Sequence, residues 1–562
     1  MAASRKAPRC GGKITYATIA LTSDDPRHAL FDRAVAAARA AFGRSYAMII
    51  GGRERSGVEL FPDTSPIDTG WVLGRFPRGT ETDIRDAIAA ARCAFPAWRD
   101  FGWERRVRVL RRAASLIGRR VIAIAAVMTL EAGKNRTEAL ADVQEAADLV
   151  AYYADQMEKN RGFVRPMKAE SRRHHNTSVL KPYGVWAVIS PFNFPCALAG
   201  GPIGAALAAG NTVVFKPATD TPLVGRLLAD CFLESGVPDG ALNFVTGPGG
   251  IVGRALAADP DVAGVTFTGS FEIGMGLYRA HPLTECAYPR PCIVEMGGKN
   301  AALVSRNADL DTAARGIVRS AFGLQGQKCS AASRIFVDRR VLEPFLERLT
   351  ALTDAITIGD PSRRDVWFGP VINAKAYADF ALYAAELAQS GRILRGGGTL
   401  TGGDLAKGYF CAPTISVGLP ENHRLWSTEM FLPITTVAAV EDLEEALRRA
   451  NDVCYGLTAG FYSRDKREIA TFLKRVEAGV MYVNRSAGAT TGAWPGYQPF
   501  GGWKASGSTG KSSGGPYYLP QYLREQSQTI VDAGPENLIE GVTKDNRHNV
   551  WNTGKPMGKE NL

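Results

Sequence analysis

Apolar residues fall into two textures along the chain. Up to about residue 160 they recur mainly at helical spacing. Residues 30–42, 80–98, 104–132 and 136–157 each present an apolar face at that period. In 80–98 the face is Ile84, Ile88 and Ala91, with Thr82 or Asp83 placed to cap the helix. A short extended run at 47–52 precedes it. Residues 161–181 are polar and broken by Pro166, as in a projecting hairpin.

From residue 183 short apolar runs alternate with helical stretches. The runs at 183–189, 212–215, 242–245, 262–268, 292–295 and 301–304 read as strands. The stretches 196–209, 222–235, 250–258 and 271–280 read as helices, with Gly236 expected to be left-handed where the second one ends. Such alternation predicts βαβ units and a parallel, doubly wound sheet, which binds ligands at the carboxyl ends of its strands. A second α/β segment follows, with helices at 311–322, 341–352, 374–390 and 466–478 and strands at 455–461 and 479–483. Residues 323–334 are rich in Gly, Ser and Ala and read as a loop rather than a core strand. The Gly/Ser/Thr/Pro-rich stretch 486–516 is too long for an incidental connector. The last residues, from about 533, are polar without apolar period and predict an exposed tail.

Composition changes this picture little. The 562 residues suggest several domains, and no apolar run is long enough to span a bilayer. Residues 1–13 are basic without the apolar centre of a secretory signal, so a cytoplasmic location is expected. The net charge of +11 is scattered in pairs such as Arg111-Arg112, without the interleaved aromatics of a nucleic-acid module. It favours anionic small molecules instead. The cysteines number nine, an odd count at irregular spacing with no CxxC, which argues for a reducing compartment and against a structural metal site.

The candidate chemistry centres on Cys329, set among Gly326, Gln327, Lys328, Ser330 and Ala331. Small residues leave room for a substrate beside the sulfur, so Cys329 reads as a nucleophile. Glu295 ends an apolar strand and runs into Gly297 and Gly298. A carboxylate so placed is partly desolvated, which raises its pKa towards that of a neutral-range base; a strand-end charge reaching solvent is the alternative. Asn193 lies between Pro191 and Pro195, where a rigid loop suits an oxyanion donor or a simple Asx turn. Lys216 closes a strand and is placed for ribose, phosphate or plain solvent. No GxGxxG is present, but Phe267-Thr268-Gly269-Ser270 turns a strand into a helix, where Ser270 caps the helix or holds a phosphate.

Together these motifs resemble the aldehyde dehydrogenase superfamily over roughly residues 48–530. Further matching landmarks are Ser190-Pro191-Phe192-Asn193-Phe194-Pro195, Phe215-Lys216-Pro217-Ala218, Glu429-Met430-Phe431-Leu432-Pro433 and Pro499-Phe500-Gly501-Gly502. The resemblance implies a Rossmann-like cofactor domain at 46–160 and 182–296 and a catalytic domain at 297–484. It also implies an oligomerisation flap of β structure at 161–181 and 517–532 and a substrate-anchoring loop at 485–516. An N-terminal arm, 1–45, and a C-terminal tail, 533–562, complete the chain. By resemblance Cys329 is the nucleophile, Glu295 the general base, and Asn193 the oxyanion donor with the Cys329 N–H. Ser190, Lys216, Gly269, Ser270, Glu429 and Phe431 would hold NAD. Thr219 stands where many NAD-preferring members carry glutamate, so NADP would be tolerated. Lys328 is expected to favour the thiolate. No metal is implied, and a homodimer or larger homo-oligomer is.

Two stretches, 322–331 and 491–502, resemble the branch that oxidises L-glutamate γ-semialdehyde in proline catabolism. That likeness assigns the substrate α-carboxylate to Ser330, Gly492 and Ala493, the aliphatic part to Phe194 and Phe500, and the α-ammonium to Glu145. The segment between Asn484 and Thr491 is longer than is usual in the branch, and Trp494-Pro495 replaces a small apolar pair. Another semialdehyde is therefore the second reading, and a non-catalytic descendant the third.

Overall fold

The computed structural model describes residues 14–532 apart from 17, 20, 22–23, 281–287 and 488–489. The expected tail and the first part of the arm lie outside the described residues. Two seven-stranded sheets form the body. In the first, Cys292–Glu295, Val262–Thr268, Val185–Ile189, Thr212–Lys216 and Leu242–Phe244 run parallel in that spatial order. Met48–Ile50 and Arg53–Arg55 extend it antiparallel. In the second the order is Arg392–Arg395, Thr414–Val417, Ile434–Val440, Ala332–Asp338, Asn300–Val304, Thr458–Tyr462 and Val480–Val483, all parallel except the first.

Alternate side chains of each central strand enter different cores. Trp186 and Val188 pack into one cluster with helices Trp103–Arg119, Arg136–Lys159 and Ala197–Ala209. Val185, Ala187 and Ile189 pack into another with helix Glu81–Asp100. In the second sheet Ala301 and Leu303 face one core while Ala302 and Val304 face the other. Burial on both faces explains why these strands read as continuous apolar runs.

Several expectations need correction. Residues 104–132 form two helices, Trp103–Arg119 and Val121–Ala132, bent by 65° at Arg120, where the chain turns an almost wholly apolar segment inward. The cap of Glu81–Asp100 is Thr80, whose side chain accepts from the Asp83 N–H in a reciprocal capping box. The stretch 455–461 is broken into Tyr455–Gly456 and Thr458–Tyr462, which join different sheets. Most consequential, residues 332–334 open the strand Ala332–Asp338, central in the second sheet. Flanked by strands on both sides, it has no polar face to mark it in sequence.

Among the described residues no single helix is long and apolar enough to cross a membrane. A third sheet pairs Val164–Pro166 with His174–Pro182 and His174–Pro182 with Leu523–Val531, all antiparallel.

One buried carboxyl pair holds helix Pro222–Glu234 in place. Glu131 accepts the Leu223 and Val224 N–H groups at 2.6 and 3.0 Å, and the Asp63 carboxyl donates to Glu131. Burial first, then mutual repulsion, drives Asp63 well above the carboxylate range; burial pushes Glu131 up to about 7. With both values raised on folding, the pair's contribution is intact at low pH and is lost as pH rises through about 7. Asp63→Asn keeps a donor to Glu131 and removes the second charge. The variant's Tm is expected to fall less than the parent's between about pH 6 and about pH 8; a parallel fall would show that the pair does not titrate there.

Candidate active site

The two sheets meet with opposite ends. Ser190, Lys216, Ser270 and Glu295 stand at or just beyond the carboxyl ends of four strands in the first sheet. Cys329, Ser330 and Phe431 lie just before the amino ends of strands in the second. The cleft between these ends collects the residues singled out by sequence.

Cys329 is delivered by helix Leu310–Phe322 and a tight turn in which Leu324 and Gln325 have φ of 48° and 55°. Its carbonyl accepts from Asn300 Nδ2 at 2.6 Å. The half-buried thiol is pushed up to about 12, by burial first and then by the negative charges of Glu429 and Glu295; the N–H groups of Cys329 and Ser330 oppose this. Glu295 Oε2 is buried without a partner, and burial pushes its carboxyl up to about 8 against a hydrogen bond from the Gly502 N–H. The Asn193 amide donates to the Gln327 carbonyl at 3.0 Å, leaving its second N–H for a substrate oxygen.

Gly297 and Gly298 permit the close approach of all these groups. A Cβ on Gly297 would sit 1.8 Å from Glu429 Oε2, and one on Gly298 would sit 2.4 Å from the Cys329 carbonyl. The Gly298 N–H donates to Glu429 Oε1 at 2.8 Å, and burial pushes Glu429 up to about 7. Lys328 does not serve the thiol in the expected way: its ammonium pairs with Glu138 at 2.6 Å. That carboxylate also accepts the Leu324 N–H, so the pair braces the turn.

Cys329, Ser330, Glu145, Phe194, Ala493 and Phe500 line one cavity. Glu145 faces it rather than solvent, pushed up to about 8 by burial first and Asp142 second. Gly492 and Ala493 differ from expectation. The Gly492 N–H donates to Gln498 Oε1 at 2.8 Å and the Ala493 N–H to Thr491 Oγ1 at 3.2 Å, so a carboxylate would have to displace side chains. The Arg485 guanidinium, which sequence reading overlooked, lies behind this loop, 3.1 Å from where a Gly492 Cβ would lie. Tyr16 and Trp494 also line the cavity and were overlooked. Trp494 registered only as a departure from pattern, and Tyr16 carries no local signal because it comes from the far end of the chain.

A dinucleotide fits the first sheet's end. Ser190 Oγ is buried and without a partner. The Lys216 ammonium donates only to the Pro217 carbonyl, at 2.9 Å, and burial pushes it down to about 8. Ser270 caps helix Phe271–Ala280 weakly, with the Ile273 N–H at 3.4 Å. Phe431, held at φ 56°, packs edge-on against Phe192 at 5.9 Å. Thr219 bonds to the Gly247 carbonyl at 3.4 Å and carries no charge.

A half-buried thiol between two carboxyls that burial holds above their ordinary range, beside unfilled polar groups on parallel strand ends, is the setting of a dinucleotide-linked enzyme. A profile of the aldehyde dehydrogenase family matches residues 52–528, and the chain belongs to that family. It is 38% identical over 505 residues to 1-pyrroline-5-carboxylate dehydrogenase 2 of Bacillus subtilis, covering 89% of this chain and 96% of that one. The enzyme of that name from a Geobacillus strain is 37% identical over 507 residues, covering 89% and 96%. The Thermus 1-pyrroline-5-carboxylate dehydrogenase solved with bound NAD superposes with a TM-score of 0.87 at 35% identity, covering 94% of this chain and all of that one.

Proposed function

We propose that this chain oxidises L-glutamate γ-semialdehyde, the open form of 1-pyrroline-5-carboxylate, to L-glutamate with NAD as hydride acceptor, in proline catabolism. The observation that carries the reading is the single cavity with Cys329 and Ser330 on one wall and the buried Glu145 carboxyl on another. An aldehyde at the sulfur then presents its amino-acid end to a hydroxyl and an acid. The named relatives support the same substrate.

In this mechanism the Cys329 sulfur attacks the aldehyde carbon, and its proton passes to a carboxyl or water of the cleft. The free N–H of Asn193 and the Cys329 N–H hold the oxyanion of the resulting hemithioacetal, each such donor contributing about 3–4 kcal/mol. NAD, when bound, supplies the acceptor for the hydride. Ser190, Lys216, Gly269 and Ser270 would hold its adenosine and phosphates, and Glu429 and Phe431 its nicotinamide half. Glu295, at the end of Cys292–Glu295, takes a proton from water, which attacks the thioester carbon and frees the acid. Thr219 leaves room for a 2′-phosphate, so NADP is a slower second acceptor.

The 161–181 and 517–532 segments, paired in the third sheet, serve in this reading as the flap that meets a second copy. Strand Leu523–Val531 exposes most of its side chains, as a strand awaiting a partner does. The exposed free thiols of Cys93 and Cys454 suit a reducing, cytoplasmic setting.

Steady-state kinetics test the substrate. Glutamate γ-semialdehyde is expected to exceed succinate semialdehyde by at least tenfold in kcat/KM, the worth of one well-paired charge at about 1.4 kcal/mol. Preference for the aldehyde that lacks an amino group would sink the assignment.

A further inference from the structure

Tyr16 is the residue of the cavity least tied to its neighbours in sequence. Its position is nonetheless well held. The Thr18 and Ile19 N–H groups close a turn on the Thr15 carbonyl at 3.1 and 2.9 Å, and Ile14, Ile19 and Leu21 join the main core. Behind them, helix Arg27–Arg39 is pinned by Arg136, which pairs with Asp32 and lies over the Phe31 ring at 4.8 Å.

The Tyr16 ring meets two walls of the cavity edge-on, Trp494 at 5.6 Å and Phe194 at 6.2 Å between centroids. Trp494 is itself fixed, its indole N–H donating to Asp148 Oδ2 at 2.8 Å. The Tyr16 hydroxyl is buried beside the Glu145 carboxyl and is placed to donate to it. No N–H of the described residues reaches its oxygen, whose lone pairs stay open to a donor on a ligand. Of the lysines nearby, Lys328 is paired with Glu138 at 2.6 Å, and Lys134, resting on the Phe194 ring at 3.9 Å, is paired with Asp142 at 2.7 Å. Their charges are therefore compensated within the wall. What the cavity end offers is a carboxyl, a phenol oxygen still able to accept, and aromatic rings, the combination that holds an ammonium.

We infer that Tyr16, reaching in from the N-terminal segment, is a specificity-determining residue that, with Glu145 and Trp494, completes the subsite for the substrate's α-ammonium group. The inference rests on the proposed α-amino aldehyde substrate and adds to it a contact outside the matched family segment, which begins at residue 52. An ammonium has three N–H donors; Glu145 takes one and the Tyr16 oxygen another, while the Trp494 ring shields the charge from water.

The test compares Tyr16→Phe and Tyr16→Ala with the parent enzyme on two aldehydes, glutamate γ-semialdehyde and succinate semialdehyde. Tyr16→Phe keeps the ring and its packing and loses only the oxygen. The expected result is a KM for the α-amino substrate raised about tenfold with kcat unchanged, and no change for succinate semialdehyde. Tyr16→Ala should raise the same KM further, still selectively. Equal weakening of both aldehydes, or no effect of Tyr16→Phe on either, would overturn the role of Tyr16 while leaving the substrate assignment standing. A parent enzyme that prefers succinate semialdehyde would overturn both.

Discussion

Cys329→Ala is expected to abolish aldehyde oxidation, with kcat falling roughly 10⁴–10⁶-fold, the scale set by removal of a covalent nucleophile. The variant should fold and bind cofactor as the parent does, because the Cys329 backbone, not its side chain, makes the hydrogen bond to Asn300. Reduced-cofactor absorbance with glutamate γ-semialdehyde measures the rate, and thermal shift with NAD confirms the fold. Oxidation at the parent rate would mean that the thiol does not form the bond. The reason for so large an effect lies in what surrounds the sulfur. Burial and two carboxyls hold the thiol up to about 12, so the free enzyme keeps it protonated near neutral pH. In the proposed mechanism its attack therefore depends on the donors that wait for an oxyanion.

Glu295→Gln is expected to separate the two halves of the reaction. Acylation survives, and a burst of about one reduced cofactor per active site is followed by steady-state turnover lowered about 10²–10⁴-fold. The pH profile carries the sign. Glu295 is raised to about 8, and its base form is the active one, so parent kcat should climb as pH passes upward through about 8. The variant should lose that limb. Stopped-flow and steady-state measurements across the range decide the matter; a parent rate that falls as pH rises, or a variant without a burst, would contradict the role.

Much of this was legible from residues alone. Glu295, Cys329 and Asn193 sit where strand ends, glycines and prolines announce a site, and the structure brings them into one cleft. Backbone hydrogen bonding was less legible. Gly492 and Ala493 offer N–H groups in sequence, but Gln498 and Thr491 fold back onto them, a local choice no spacing reveals. Lys328, beside Cys329, looked like an activator and is instead a brace, because its partner Glu138 lies on a helix far back in the chain. Strand Ala332–Asp338 was hidden by burial between two neighbours. Tyr16 was hidden by sequence distance from everything it touches.

The opposed ends of the two sheets have a further consequence. Glu295 and most of the proposed cofactor contacts hang from one backbone framework, Cys329 with Glu429 and Phe431 from the other, and short contacts stitch them: Asn193 to Gln327 and Lys328 to Glu138. The reacting distance is thus a property of an internal seam rather than of any one residue. A displacement of about 1 Å along such a seam costs on the order of 10²-fold in rate while both binding surfaces stay intact. Lesions in these stitches should therefore register as slow enzymes with normal affinities, and selection for speed acts on the seam as a single unit.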